Sequence, residues 1–272
     1  MSDIDLLVEE VRTSGKYWGV AETLIRHIGS GELARRRTFR EAVKATKRKL
    51  HQVAAVYLDA GLDFDGAADT LRTNAESGDP VAFRDTCIRI MQRHVSTRER
   101  LPILGEFYQT LLADLGPIHS VADFACGLNP LAIPWMPLTS DCRYYAYDIH
   151  QGLLAFLGRV LPLTGVQATA RLANLVDDVP NEPVDVGLLL KCIPCLEQLD
   201  PSAGQRLLDR VQARRLVVSF PNHSLGGRSK GMARTYDQRF QQLVAGRPWQ
   251  VRRFEFSSEI AYLVDTQSSD CP

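Results

Sequence analysis

Val121-Ala-Asp-Phe-Ala-Cys-Gly127 is the stretch that decides the fold of this chain. An apolar run ends here in a small residue and a glycine, so the backbone can turn sharply and approach a ligand closely. A second apolar run, residues 143–147, ends in Asp148 about 20 residues later. Strands that end in this way are typical of an open α/β sheet, which binds ligands beyond the carboxyl ends of its strands. The stretch lacks the G-x-G-x-x-G pattern, so a dinucleotide site is not supported.

Asp148 is the first candidate for a ligand contact. A carboxylate at the end of the second strand offers two oxygens, which can accept hydrogen bonds from both hydroxyls of an adenosine ribose. The alternative is a structural role, since aspartate is also favoured as the N-cap of a helix. The preceding strand and glycine turn favour the ribose, and together these features predict a site for an adenosine-containing cofactor.

The rest of the second half alternates apolar runs with helical segments, which is the pattern of an α/β sheet. Residues 184–190 are almost continuously apolar, as expected of a strand buried on both faces. The last two runs are separated by Ser257 and Ser258 and predict a hairpin. The seven predicted strands cover residues 120–125, 143–147, 167–173, 184–190, 215–220, 250–256 and 259–265.

The apolar residues of the first half, 1–115, recur at helical spacing and predict helices. One helix, which Gly61 closes, has an apolar face that carries Val43, Leu50, Val53, Tyr57 and Leu58. Two further helices are expected at about 80–94 and 101–115, the second ending before a Gly-Pro pair. The chain is therefore predicted to have a helical N-terminal domain, 1–115, and an α/β domain, 116–272.

The composition excludes several classes of protein. The formal net charge is zero, so the whole-chain balance does not indicate a nucleic-acid binder. No stretch approaches the roughly 18 to 20 apolar residues that span a bilayer, and acidic residues 1–10 lack the pattern of a secretory signal. We therefore expect a cytoplasmic protein with reduced cysteines. Cys192 and Cys195 lack further ligands at zinc spacing, so a packing role is favoured over redox or metal chemistry.

One segment of the helical half is strongly basic. Residues 33–51 contain a single acid, Glu41, among eight basic residues. Such a run is usually a solvated helix face, but its single sign favours contact with RNA phosphates. No aromatic stripe is interleaved with the basic residues, so docking on folded RNA is favoured over stacking on single strands. The basic residues are Arg35, Arg36, Arg37, Arg40, Lys44, Lys47, Arg48 and Lys49.

Four motifs follow one another along the chain, and the second extends the stretch that opens this section. They are Ser96-Thr-Arg-Glu-Arg-Leu-Pro102, Asp123-Phe-Ala-Cys-Gly-Leu-Asn-Pro-Leu131, Leu188-Leu-Leu-Lys191 with Pro194-Cys-Leu-Glu197, and Arg228-Ser-Lys-Gly-Met232. Together they resemble the aminoglycoside-resistance 16S ribosomal RNA guanine-N7 methyltransferases. These enzymes occur in actinomycetes that make the drugs and, as acquired enzymes, in pathogens. The resemblance runs from about residue 44 to residue 265.

The resemblance implies a class I methyltransferase sheet, Rossmann-like and seven-stranded, with a helical N-terminal domain that docks on the ribosome. It implies that S-adenosyl-L-methionine is the cofactor and S-adenosyl-L-homocysteine the product. The implied substrate is N7 of the guanine conventionally numbered 1405, in 16S rRNA of the assembled 30S subunit. Modification there would give aminoglycoside resistance. The alternatives are a methyltransferase for another rRNA or tRNA nucleotide, and a ribosome-binding protein that keeps the fold without catalysis.

The resemblance also implies roles for single residues of the cofactor site. Arg100 matches the residue that meets the methionine carboxylate, an anion that suits the forked donors of a guanidinium. Asn174 stands where the family usually has aspartate, and an amide can both donate and accept. The implied cofactor-binding residues are Arg100, Ala125, Gly127, Asp148, Ile149, Asn174, Leu175, Leu190 and Gln198.

No general base is expected, because N7 of guanine carries a free lone pair at neutral pH. Catalysis would rest on alignment and electrostatics, with Lys191 and Arg228 as positioning residues and no metal. From the residues alone, Lys191 is equally explained as a lysine that extends from a strand end into solvent. Base flipping is expected, since N7 is hard to reach in A-form RNA. The charge of the basic run predicts Arg36, Arg40, Lys44, Lys47 and Arg48 as RNA-binding residues. The resemblance adds Arg228 and Lys230.

Overall fold

The computed structural model describes residues 1–55, 61–222 and 232–267. Its helices are α1 Asp3–Arg12, α2 Glu22–Arg35, α3 Phe39–Leu50, α4 Phe64–Glu76, α5 Pro80–Met91, α6 Val95–Arg100, α7 Leu104–Leu112, α8 Gln151–Val160, α9 Ile193–Glu197, α10 Ala203–Arg210 and α11 Met232–Val244. Its strands are β1 Ser120–Phe124, β2 Arg143–Asp148, β3 Gln167–Leu172, β4 Val184–Leu190, β5 Ala213–Pro221, β6 Gln250–Glu255 and β7 Glu259–Asp265.

The seven strands form one sheet in the order β3-β2-β1-β4-β5-β7-β6. The first five are parallel, whereas β7 runs antiparallel to both β5 and β6. The predicted class I sheet with a final hairpin is therefore confirmed. The chain leaves β1 toward β2 on one side and later returns to β4 on the other. This reversal places a switch point at the carboxyl end of β1, where open α/β sheets bind their ligands.

Apolar side chains cover both faces of the sheet. All five residues of β1 are buried, as a central parallel strand requires. Helices α5 and α7 share one hydrophobic core with this strand, through Phe83 and Phe107 among others. Helices α1, α2 and α3 have a separate core around Leu7, Ile25 and Leu50. The N-terminal helices therefore belong to two different hydrophobic cores. The domain boundary at residue 115, and the separate roles of the two domains, stay predictions.

Two predicted helices end earlier than expected. Helix α3 begins after its N-cap, Thr38, and ends at Leu50, where the chain continues as a π-helical turn over His51–Ala55. Tyr57 and Leu58, predicted on its apolar face, lie outside the described residues. Helix α5 ends at Met91, and the separate short helix α6 follows. A helical period does not specify such breaks, because a turn of different geometry keeps similar faces buried.

Residues 17–21, here called the strap, attach the N-terminal helices to the sheet domain. Val20 forms a β-bridge with His150, directly beyond the end of β2. The amide of Ala21 donates to the carbonyl of Ile149 at 2.8 Å, and the amide of Gln151 donates to the carbonyl of Gly19 at 2.7 Å. The strap therefore fixes the N-terminal helices beside the ligand-binding edge of the sheet.

Within the described ranges, no helix is both long enough and apolar enough to cross a membrane.

Candidate active site

A cavity of about 430 Å³ opens where β1, β2 and β4 end. It contains most of the cofactor-site residues predicted from the sequence, together with Lys191. Gly127 is not among the lining residues, but its backbone amide donates a hydrogen bond to Asp148, which lines the cavity. The predicted residues that line the cavity are Arg100, Ala125, Asp148, Ile149, Asn174, Leu175, Leu190, Lys191 and Gln198.

Two non-glycine residues at the cavity have left-handed backbone conformations. Ala125 has φ of 53° just after β1, and Lys191 has φ of 58° just after β4. Residues with a Cβ rarely adopt left-handed backbone angles, because the Cβ clashes with the backbone. Such backbone strain persists only where the surrounding structure imposes it. Such outliers cluster at functional sites. Here they turn the chain sharply at the ends of two neighbouring strands and open the cavity between them.

Gly127 is required both by its conformation and by the space around it. Its φ is 51°, and a Cβ at this position would lie 2.6 Å from Nε2 of His94. The His94 ring also lines the cavity. Burial lowers the pKa of His94 to about 4, and the charges of Arg100 and Lys191 act in the same direction. The imidazole is therefore neutral at pH 7.

Asp148 is held by backbone amides. Its Oδ2 accepts from the amide of Gly127 at 2.9 Å, and its Oδ1 accepts from the amides of Ile149 and His150 at 2.8 and 3.0 Å. Burial raises the pKa of Asp148, while these donors oppose the rise. The N-cap of α8 is His150, which accepts from the amide of Leu153. Asp148 is therefore not that N-cap, and an acceptor position on its carboxylate remains outside these contacts.

Arg100 is buried in a bidentate ion pair that the sequence reasoning missed. Its Nε and Nη2 donate to the two carboxylate oxygens of Glu259 at 2.7 and 2.9 Å, and its Nη1 donates to Oδ1 of Asn129 at 3.0 Å. A guanidinium has five N–H donors, so two remain for a ligand carboxylate. Glu259 is 159 positions away along the chain, at the start of β7. No local motif could have linked the two residues.

A chain of buried polar groups continues below Arg100. Nδ2 of Asn129 donates to Oδ2 of Asp123 at 2.8 Å, and the Tyr144 hydroxyl donates to the same oxygen at 2.7 Å. The Tyr108 hydroxyl donates to Oδ1 of Asn129 at 2.5 Å. Burial raises the pKa of Asp123 to about 6, against the lowering effect of its two donors. These contacts fix the orientation of Asn129 and, through it, of the guanidinium.

Lys191 lies in the wall with its ammonium buried rather than extended into solvent. Its Nζ donates to Oε2 of Glu99 at 2.9 Å and lies 3.8 Å from Oε1 of Glu259. Only 9% of the residue is exposed. Glu99 belongs to the Ser-Thr-Arg-Glu-Arg motif, yet the sequence alone suggested no role for it. The left-handed backbone at Lys191 thus turns its side chain back toward two carboxylates.

The N-terminal helices contribute directly to the cavity. Leu24 of α2 and Val53 of the π-helical turn line it beside Ile149 and Leu175. The sequence had placed Val53 only on the apolar face of a helix. Apolar side chains from both halves of the chain thus form one wall, which suits a flat aromatic ligand.

Asn174 connects this wall to helix α2. Its Nδ2 donates to Oδ2 of Asp177 at 2.7 Å, and its Oδ1 accepts from the amide of Val176 at 3.3 Å. The other oxygen of Asp177 lies 2.8 Å from Nδ1 of His27. The side-chain amide of Asn174 therefore stabilises the turn formed by residues 174–177.

The thiols of Cys192 and Cys195 also lie in the wall, at the start of α9. Burial raises the pKa of the Cys192 thiol well above its usual range. Across the part of the chain that the structure describes, no three metal-ligating side chains come together.

The basic residues predicted to contact RNA differ in their exposure and in their partners. Arg36 and Lys49 both pair with the buried carboxylate of Glu32, at 2.7 and 2.8 Å. Lys47 is half-buried, whereas Arg40, Lys44 and Arg48 are exposed on α3. We call the surface formed by Arg40, Lys44 and Arg48 the basic surface. Arg228 and Lys230 lie outside the described residues.

Helix α11, which follows those residues, reaches the cavity. Met232 and Tyr236 line it. The guanidinium of Arg239 binds both carboxylate oxygens of Glu197 in α9, with a closest distance of 2.6 Å. Glu197 therefore anchors α11 beside the cavity.

Comparison with known proteins identifies the family. Residues 13–263 match the family model described as Ribosomal RNA methyltransferase (FmrO). The chain is 38% identical over 263 residues to the 16S rRNA (guanine(1405)-N(7))-methyltransferase of Micromonospora echinospora, with 96% of each chain covered. It is 39% identical over 264 residues to the enzyme of that name from Frankia casuarinae, with 96% of this chain and 93% of the relative covered.

A solved structure resembles the whole molecule. The crystal structure of the 16S rRNA methyltransferase RmtF in complex with S-adenosyl-L-homocysteine superposes with a TM-score of 0.85 and 29% identity. The match covers 98% of this chain and 99% of that one. The strand order, the cavity at the switch point and these full-length likenesses agree: the chain belongs to the FmrO family of ribosomal RNA methyltransferases.

Proposed function

We propose that this chain transfers a methyl group from S-adenosyl-L-methionine to N7 of guanine 1405 in 16S rRNA. The observation that carries the proposal is the likeness to enzymes of that name over 96% of the chain. The cavity at the carboxyl ends of β1, β2 and β4 supplies the place for the reaction. In the cell, we place the enzyme in the cytoplasm, with the assembled 30S subunit as its partner.

The residues of the cavity fit S-adenosyl-L-methionine. Asp148 offers an acceptor for a ribose hydroxyl, and Ile149 and Leu175 offer apolar contacts for adenine. Arg100 retains two donors for the methionine carboxylate. The cavity volume, about 430 Å³, lies in the range of small-molecule sites. When bound, the cofactor supplies a methyl group on a positively charged sulfur.

The chain's own residues are expected to bind and orient. Glu259 holds Arg100 in a fixed position, so the carboxylate of a ligand would be bound in one orientation. Lys191 donates to Glu99 and has further N–H donors, a chemistry that suits the O6 acceptor of a guanine. His94 is neutral and adds no further positive charge to the cavity. No residue has to remove a proton from N7, so catalysis rests on alignment and electrostatics.

Docking on the subunit is assigned to the basic surface of α3. Arg36, Lys47, Arg228 and Lys230 remain candidates for further RNA contacts. The target base would be flipped from its helix, because N7 lies in the deep groove of A-form RNA.

Replacing Asp148 with alanine should weaken binding of S-adenosyl-L-methionine. Lost hydrogen bonds to a charged group cost about 1.5 to 3 kcal/mol, which corresponds to a roughly 10- to 150-fold higher Kd. Titration calorimetry measures this change. Asp141→Ala is the matched control, because this exposed acid precedes the opposite end of the same strand. An unchanged Kd in folded Asp148→Ala protein would reject Asp148 as a ribose ligand.

Gly127→Ala should weaken cofactor binding and lower the melting temperature. A Cβ would strain a left-handed backbone and collide with the His94 ring, displacing an amide that donates to Asp148. Gly165→Ala is the control, because Gly165 is also left-handed but has open space around it. That control should show only the backbone strain, about 1 to 2 kcal/mol. Equal effects of the two substitutions on melting temperature and Kd would contradict this description of the site.

Reversing the charge of the basic surface with Arg40→Glu, Lys44→Glu and Arg48→Glu should lower methylation of 30S subunits at least about tenfold. Affinity for S-adenosyl-L-methionine should stay unchanged, because these side chains are exposed and do not line the cavity. A second triple variant, Arg143→Glu, Arg210→Glu and Arg252→Glu, changes the same charge elsewhere on the surface. If both variants lose activity equally, only the total charge matters and the basic surface is not the docking site.

Expression of the chain should protect bacteria from gentamicin and kanamycin but not from apramycin. A methyl group and a positive charge at N7 would clash with and repel a cationic drug ring. Minimal inhibitory concentrations measure the effect, and cells that carry the empty vector serve as the control. Protection from apramycin, or susceptibility to gentamicin despite expressed wild-type protein, would point to another target nucleotide.

A further inference from the structure

Trp18 is a large apolar side chain on the surface of the strap. It is 60% exposed, and it is the one aromatic residue among the large hydrophobics exposed in the described ranges. Single apolar residues on a surface are common and need no special explanation. Its surroundings give this one significance.

The fold holds the strap that carries Trp18 against α3, the helix of the basic surface. Its neighbour Tyr17 is buried, and the Tyr17 hydroxyl donates to the backbone carbonyl of Lys47 in α3 at 3.0 Å. Lys47 is preceded and followed along α3 by Lys44 and Arg48 of the basic surface. Trp18 and Lys47 are 29 positions apart in the sequence, so the basic run does not include Trp18. The aromatic residue within the run, Phe39, is half-buried against the core of α1, α2 and α3.

On its other side, Trp18 adjoins the wall of the cavity. A Cβ at Gly19 would lie 3.0 Å from Cε1 of His150, so backbone and ring are in close contact. His150 lines the cavity. The strap that carries Trp18 therefore contacts both α3, the helix of the basic surface, and a residue that lines the candidate active site.

The strap that carries Trp18 is held in place before any partner binds. Hydrogen bonds join its ends to Lys47 on one side and to Ile149 and Gln151 on the other. A tryptophan has only two side-chain torsions, so little conformational entropy is lost when it makes a contact. An exposed ring on a fixed backbone is suited to recognise a flat partner.

We propose that Trp18 is a stacking platform for an unpaired base of the 16S rRNA substrate; this rests on the proposed function. Arg40, Lys44 and Arg48 have the same sign of charge, and none of the described residues forms an ion pair with them. A polyanion is therefore the partner that this surface fits. Sequence-specific RNA recognition uses splayed bases stacked on aromatic rings, and an aromatic ring lies beside the phosphate-binding cations here.

The test compares three substitutions at one position: Trp18→Ala, Trp18→Phe and Trp18→Leu. Stacking of one base accounts for a roughly 5- to 150-fold change in affinity when it is lost to alanine. We expect Trp18→Ala to weaken binding of purified 30S subunits, and kcat/KM for their methylation, by that factor. Trp18→Phe should restore most of the affinity, whereas Trp18→Leu should resemble Trp18→Ala. Affinity for S-adenosyl-L-methionine should be unchanged in all three variants.

Val81→Ala is the control, because Val81 is 65% exposed and belongs to α5, not to the strap or to α3. Wild-type 30S affinity in Trp18→Ala, or equal recovery by leucine and phenylalanine, would overturn the stacking role. The 30S binding measurement separates this inference from the proposed function. If the wild-type chain binds 30S subunits through Trp18 but methylates another nucleotide, the proposed function fails and the platform stands.

Discussion

The carboxylate of Glu259 lies fully buried between two cations, Arg100 and Lys191, and the candidate active site depends on this arrangement. A buried charge is costly unless it is paired and fully hydrogen-bonded. The bidentate contact with Arg100 meets that requirement and joins helix α6 to the start of β7. Lys191, at the end of β4, is oriented by the same carboxylate and by Glu99. Three separate elements thus meet at one group, which fixes the polar end of the cavity.

The apolar end of the cavity depends on a different constraint, the attachment of the N-terminal helices through the strap. Leu24 and Val53 complete a wall that the sheet domain alone would leave open. The same helices carry the basic surface. Under the proposed function, one unit of the chain would dock on rRNA and also enclose the cofactor. Binding of these helices to rRNA would then position the cofactor cavity relative to the substrate.

The sequence predicted the features that depend on local pattern. The strands and their final hairpin follow from apolar periodicity, and the ligand-binding edge of the sheet follows from Gly127 and Asp148. The other residues of the site were implied by the resemblance to the methyltransferase family. It did not predict Glu259, because its partner Arg100 is 159 positions away and a buried ion pair has no local signature. The link between Tyr17, the neighbour of Trp18, and α3 was missed for the same reason. The strained backbone at Lys191 is imposed by tertiary packing, which composition does not reveal.

The most direct measurement of the central claim is the site of methyl transfer on purified 30S subunits. The chain would be incubated with unmodified subunits and S-adenosyl-L-methionine carrying a labelled methyl group, and the 16S rRNA fragments analysed by mass spectrometry. The account predicts one added methyl group per 16S rRNA, at N7 of guanine 1405. A methyl group at another nucleotide, or none from a chain that binds the cofactor and the subunit, would contradict it.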